Sequence, residues 1–332
     1  MLDIYGTLGP ACADQDTLYK MFAAGMTGVR LNLSHVTLPQ AAGQIAALHE
    51  AAARCGKQAQ LLIDMQGPEL RIGTLTEPLS LKAGDEVRLG AGGLPVPAMI
   101  LPYLAPGQEI LLDDGKLLLQ VRSASADSAC AEILRGGVLA GRKSISLPGC
   151  RLHPPTMTQR DLENIACACE FGVTAVMQPF VRDRADLEAV RAALHDAGCG
   201  HIRLFAKIEN MEGVRNLDDL IPACDEVVIA RGDLGNAMPL WELPRVQKEI
   251  AAKCREAGRA FMVVTQMLAS MEHSAVPTRA EVSDVFNAVC DGAASVMVTG
   301  ETAVGVYPVE VIRYLVNTSA EALAYRECLR RS

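Results

Sequence analysis

The chain has no excess of positive charge, no CxxC motif and no long apolar run, and each absence removes a class of function. Its 31 Lys and Arg stand against 39 Asp and Glu, a net charge of −8. That opposes nonspecific nucleic-acid binding, which needs a basic patch to release the counterions of phosphates. No stretch approaches the roughly 18 apolar residues of a membrane span, and Met1 leads directly into a short strand-like run without a basic segment or cleavage site. A soluble, cytoplasmic chain with no nucleic-acid and no membrane partner is expected. The 11 cysteines include no CxxC pair. Zinc is therefore not expected, and Cys167, Cys169 and Cys290, set in helix-like apolar segments, read as reduced, buried thiols.

What is present is concentrated between residues 204 and 235, where two apolar strand-like runs each end abruptly in charge. One ends in Lys207, Glu209 and Asn210, the other in Arg231, Gly232 and Asp233. Strand side chains alternate with period 2, so Lys207 and Glu209 project to the same side. Two such strand ends in succession suggest a metal and anion site at the carboxyl edge of a parallel sheet.

Apolar β-type runs alternate with helical patterns at 4–8, 28–33, 60–64, 173–177, 203–208, 226–230, 261–265 and 295–299. Eight such units predict an α/β fold, a closed (β/α)8 TIM barrel, with a doubly wound open sheet as the competing reading. The third unit is interrupted: 71–152 holds short β-type pieces and many Gly and Pro residues instead of a helix. The expected division is a barrel over 1–70 and 153–332 with a small β-rich lid domain, 71–152, inserted after strand 3.

In a barrel the chemistry gathers where the strands end. Strand 2 is followed by Arg30, Asn32, Ser34 and His35, and strand 3 by Asp64 and Glu69. Strand 5 ends in Lys207 and Glu209, strand 6 in Asp233, strand 7 in Thr265 and Gln266, and strand 8 in Thr299 and Glu301. A single polar residue there could merely cap the next helix. Six strand ends behaving alike point to a site.

These segments carry a family resemblance. TLGP at 7–10, RLNLSH at 30–35, GPELR at 67–71, KIENMEGV at 207–214, ARGDLG at 230–235, TQML at 265–268, PTRAEVSDV at 277–285 and GETAVGVYP at 300–308 resemble pyruvate kinase, in order along the chain. DDG at 113–115 and LPG at 147–149 match its lid domain. Relative to full-length members the chain lacks a long N-terminal extension and the C-terminal domain. The resemblance therefore implies loss of the sugar-phosphate effector site, and a monomer or a homodimer through the barrel.

The resemblance implies a glycolytic phosphotransferase acting on phosphoenolpyruvate and ADP to give pyruvate and ATP. Glu209 and Asp233 would bind Mg²⁺ or Mn²⁺, hard cations that keep few protein ligands. Lys207 would neutralise the transferring phosphoryl group and stabilise the enolate. Arg30 would hold phosphate with a planar fork of donors, and Gly232 and Asp233 would meet the substrate carboxylate. Asn32, Ser34, Asp64 and the backbone carbonyl of Met65 match a K⁺ site, which Glu69 supports because potassium-independent relatives usually carry lysine there. Thr265 would position the proton donor, with Thr299 and Glu301 supporting it. ADP would contact Thr7, Pro10, Arg71, Asp113 and Lys143.

Two departures stand out. Where the family usually reads DTKGPE this chain has Met65 and Gln66, and where it reads a small residue and serine before Phe-Val-Arg it has Gln178 and Pro179. Both changes are expected to face the pocket. They leave open a paralogue acting on a related enol phosphate or 2-oxo acid, with Gln178 and Gln66 reading the altered group, or a noncatalytic metabolite-binding protein.

Overall fold

The computed structural model describes every residue except Met1, His35, Glu69, Asp114, Arg151, His153 and Ser332. The chain divides into two compact units, 1–67 with 156–332, and 68–155. The first unit opens with β1 (Asp3–Thr7), α1 (Gln15–Ala23), β2 (Gly28–Asn32), α2 (Ala42–Arg54) and β3 (Gln60–Asp64). The second unit follows with β4 (Leu79–Leu81), β5 (Glu86–Gly90), β6 (Glu109–Leu112), β7 (Leu117–Ala124), β8 (Ser128–Arg135), β9 (Gly137–Leu139) and β10 (Ile145–Ser146). After α3 (Gln159–Cys167) the first unit continues through β11 (Ala175–Gln178), α4 (Arg184–Asp196), β12 (Arg203–Ile208), α5 (Met211–Arg215) and α6 (Leu217–Leu220). It ends with β13 (Glu226–Ala230), α7 (Arg231–Asn236), α8 (Leu243–Glu256), β14 (Ala260–Val264), α9 (Arg279–Cys290), β15 (Ser295–Met297), α10 (Gly300–Ala303) and α11 (Pro308–Arg331).

The expected barrel is found. β1, β2, β3, β11, β12, β13, β14 and β15 pair in parallel and close on themselves, which excludes the open sheet. Parallel strands covered on both faces must be apolar on both, and their alternation divides them between two cores. Tyr5, Leu62, Met177, Phe205, Val228, Met262 and Met297 fill the inside of the barrel. Their neighbours, among them Leu61, Ile63, Val176, Leu204, Ala206 and Ile208, face the helices. Helix starts are fixed by local hydrogen bonding: Thr158 and Asp161 form a capping box on α3, Thr278 and Glu281 another on α9, and Asp183 and Asn210 cap α4 and α5. Among the described residues no helix is long and apolar enough to cross a membrane.

The second unit is an antiparallel five-stranded sheet in the order β10-β6-β7-β8-β5 with a separate β4-β9 pair. It has a core of its own, built on Leu89, Ile110, Leu119, Ala131 and Leu139.

The expectation of reduced thiols fails at one pair, since Cys169 and Cys199 form a disulfide across a Cα separation of 5.9 Å. Cys169 lies in the turn after α3 rather than within a helix. The two turns preceding the paired strands β11 and β12 are neighbours in space although 30 residues separate the cysteines. That adjacency comes from the barrel, not from any spacing a sequence motif records.

Candidate functional site

Period-2 alternation carries β12 from Arg203 through Phe205 to Lys207, all on the inner face, so Lys207 stands above the apolar filling at the carboxyl mouth. Its Nζ lies 3.0 Å from Glu209 Oε1 and 3.1 Å from Asp64 Oδ2. Asp64, at the end of β3, also accepts from Arg30 on β2, whose Nε and Nη2 both lie 2.7 Å from Oδ2. The register of β2 with β3, and of β3 with β12 through the intervening β11, thus brings two cations and two carboxylates into one buried cluster. Asp233, half-buried in α7, lies within electrostatic reach of both Lys207 and Glu209.

Burial dominates the proton affinities here, and the neighbours decide their direction. It works against the charge on Lys207, but Asp64 and Glu209 hold that proton above the ordinary lysine value. It also pushes Asp64 upward, but Lys207 and Arg30 bring its carboxyl below the usual range. Glu209 moves the other way. Burial raises it, Lys207 only partly offsets this, and Asp233 and Asp64 add repulsion. The cluster therefore holds Arg30 and Lys207 against Asp64, Glu209 and Asp233, with one carboxylate in excess.

That excess fits a hard divalent cation, which would relieve the repulsion on the buried Glu209 carboxyl and share Asp233. Among the described residues no three His, Cys, Asp or Glu side chains form a closed metal cage. A two-carboxylate edge leaves most of a coordination shell to ligands from outside the chain.

The loops around this cluster are firmly held. The Phe180 N–H donates to Glu209 Oε2 at 2.8 Å, and Phe180 has φ +51°. Thr265 has φ +78°, an outlier for a β-branched residue, and its carbonyl accepts from Arg231 Nη2 at 2.7 Å. Arg231 is fixed in turn by Asp284 at 2.7 Å. Gly232 packs on Thr265, since an added Cβ would lie 3.0 Å from its Cγ2. Glu301 accepts from the Thr299 and Leu268 N–H groups and from the Thr299 hydroxyl, tying the loops after β14 and β15 together. Asp161 accepts from the Gln66 and Gly67 N–H groups at 2.8 and 3.0 Å. Sequence reading assigned no role to Arg231 or Asp161. For Asp161 the T-x-x-D capping box at 158–161 is the local signal.

Other expected site residues are less converged. Asn32 Oδ1 accepts from the Ser34 N–H at 3.1 Å, a local turn at the end of β2. Thr7 is buried, with its hydroxyl donated to Val298 O at 2.9 Å, while Pro10 is exposed in the following turn. In the second unit Asp113 pairs with Lys143 at 2.8 Å, and Arg71 Nη1 donates to Arg142 O at 2.9 Å. His35, Glu69 and the central Asp114 of DDG lie outside the described residues.

Of the residues that depart from the expected motifs, Met65 and Gln178 do not face the pocket as anticipated. With Asp64 and Met177 turned inward, Met65 and Gln178 must turn outward, and Met65 indeed belongs to the outer core. Gln178 Nε2 donates to Thr156 O at 2.9 Å and Pro179 O at 3.1 Å, behind the strand ends. Neither side chain is placed to read a substrate.

Residues 2–312 match the family model described as pyruvate kinase, barrel domain. The chain is similar to the pyruvate kinases of Geobacillus stearothermophilus, 37% identical over 97% of the chain and 57% of that protein, and of Bacillus licheniformis, 36% identical over 97% and 58%. It is similar as well to that of Aeropyrum pernix, 36% identical over 96% of the chain and 70% of that protein. The chain thus spans little more than half the length of the two Bacillus-type relatives.

Proposed function

The chain belongs to the pyruvate kinase family, and on that premise we propose that it moves the phosphoryl group of phosphoenolpyruvate to ADP, giving pyruvate and ATP. The observation that carries this reading is Lys207, a buried cation held between Asp64 and Glu209 in a mouth with a surplus carboxylate.

Lys207 is aimed where negative charge builds during transfer. Its ammonium steadies the phosphoryl oxygens as the bond to the enol oxygen breaks, and then the enolate oxygen left behind. Arg30 offers its guanidinium fork to the same phosphate. Glu209 and Asp233 would hold Mg²⁺ or Mn²⁺, and such an ion supplies Lewis-acid neutralisation of the phosphoryl and enolate oxygens when bound. Asn32, Ser34, Asp64 and the Met65 carbonyl are assigned to K⁺. Gly232 and Asp233, opening α7, receive the substrate carboxylate. Thr265, fixed in a strained conformation by Arg231, orients the group that delivers a proton to the enolate carbon, and Glu301 holds Thr299 in place beside it.

A substrate other than phosphoenolpyruvate loses one of its two supports, because Gln178 points away from the cluster. The test is a coupled assay with phosphoenolpyruvate, ADP, Mg²⁺ and K⁺ on the chain and its Lys207→Met variant. Turnover should fall at least about a thousandfold in the variant with a smaller change in KM. Loss through KM alone would reduce Lys207 to a binding residue, and no turnover by the unaltered chain would overturn the assignment.

A further inference from the structure

The turn that presents a hydrogen bond to Glu209 is unusual in its chemistry. Its backbone N–H comes from Phe180, a bulky residue at φ +51°, in the left-handed region that favours glycine. The Phe180 N–H and the Pro179 carbonyl belong to one planar peptide group, so fixing one end orients the other. Glu209 Oε2 takes the N–H end at 2.8 Å. Gln178 Nε2 takes the carbonyl end at 3.1 Å.

A rotation of this single peptide would relieve the Phe180 backbone and swing its N–H away from Glu209. Several contacts hold the flanks against movement but leave this peptide free to turn. The Pro179 ring is wedged against Gly67, where an added Cβ would come within 2.3 Å of Pro179 Cγ. Asn210 Nδ2 holds the Val181 carbonyl at 3.1 Å, and Asn216 Nδ2 the Arg182 carbonyl at 2.8 Å. Gln178 is itself only 1% exposed and anchored by its second bond, to Thr156 O. Its Oε1 is buried without a hydrogen-bond partner. The side chain therefore tolerates an unsatisfied acceptor while its amide donors are spent on the Thr156 carbonyl and on the turn.

We propose that Gln178 is a positioning residue which, from behind the strand, locks the Pro179–Phe180 peptide and so presents the Phe180 N–H to Glu209, fixing that carboxylate for a divalent cation. The inference rests on the reading of Glu209 as a cation ligand. Partners that orient a ligand from outside the coordination shell typically change metal affinity by about 10- to 100-fold when lost. Glycine adopts positive φ without steric cost, so the lock should become dispensable once Phe180 is replaced by it.

The experiment measures Mn²⁺ binding directly, from the electron paramagnetic resonance signal of free Mn²⁺, with thermal unfolding as the control for folding. Gln178→Met, which keeps length and removes the donors, should weaken Mn²⁺ about tenfold. In a Phe180→Gly background the same substitution should weaken it less than about threefold, because glycine carries no strain to release. If Gln178→Met does not fold, Gln178→Leu serves the same comparison. Should Glu209→Gln leave Mn²⁺ binding untouched, the reading of the site falls and the inference with it. Should Glu209→Gln abolish binding while Gln178→Met has no effect, or an equal effect in both backgrounds, the inference alone is overturned.

Discussion

Replacing Glu226 by glutamine should make the barrel more stable in mildly alkaline solution and confer little or nothing in acid. Glu226 opens β13 on the inner face at the end of the barrel opposite Lys207, 4% exposed. It accepts from the Ser295 hydroxyl, with Arg203 and Asp3 nearby. Arg203 does not form an ion pair with it, because its Nη2 is given to Gln60 Oε1 at 2.8 Å, and Gln60 Nε2 goes to Asp3 at 2.9 Å. Burial therefore prevails over the Ser295 and Arg203 contributions and lifts the Glu226 carboxyl from 4.5 to about 7. The native state holds this proton more tightly than the unfolded chain. Between those two values the unfolded chain loses it first, so stability falls as pH rises through the window and levels off above it. Each tenfold difference in proton affinity is worth ~1.4 kcal/mol, so the ionised carboxyl costs the fold at most about 3 kcal/mol near pH 8. Glutamine can still accept from Ser295 and never ionises. Equilibrium unfolding in urea near pH 5 and near pH 8 should show the variant gaining on the parent by about 1–3 kcal/mol at the higher pH. A difference that is the same at both pH values would refute the reasoning, because it would show that ionisation of Glu226 contributes nothing.

Two further expectations concern the frame around the site. Gly67→Ala forces a Cβ onto the Pro179 ring at a residue whose φ is +58°, and should destabilise the barrel by about 1–3 kcal/mol in the same unfolding assay; an unchanged midpoint would show that the ends of β3 and β11 are free to part. Thiol titration of the unfolded, unreduced chain should count nine cysteines, and eleven after reduction, since Cys169 and Cys199 are joined; eleven without reductant would remove the disulfide.

The barrel was legible because parallel strands buried on both faces must be written as apolar runs. Reading was weakest where that rule bends. β11 was expected over 173–177 but runs Ala175–Gln178, since a buried glutamine looks like the end of a strand. β8, Ser128–Arg135, is hard to read in the sequence because Ser, Ala and Cys carry little β preference and its register is set by β7 and β5. Lys207 and Glu209 were legible as a pair through period 2 alone. The same rule could have placed Met65 and Gln178 correctly, since each directly follows an inward residue. What no local pattern records is the long-range bonding: Asp161 reaches the backbone of Gln66 and Gly67 about 95 positions away, and Arg231 holds the carbonyl of Thr265.

Glu209 and Glu226 lie on or just beyond adjacent strands, both nearly sealed from solvent and both raised by burial, yet they stand at opposite ends of the barrel. At the amino end the charge is a cost that the Ser295 hydroxyl and Arg203 offset only in part, and a neutral amide should serve better. At the carboxyl end Glu209 has a lysine at 3.0 Å and a dedicated backbone N–H at 2.8 Å, an investment in the ionised form that simple stability does not require. On the proposed reading of Glu209 as a cation ligand, the N–H drawn from a strained Phe180 keeps that carboxylate oriented for a cation brought from solution. On that reading the contrast separates a carboxyl the fold merely tolerates from one that it is arranged to use.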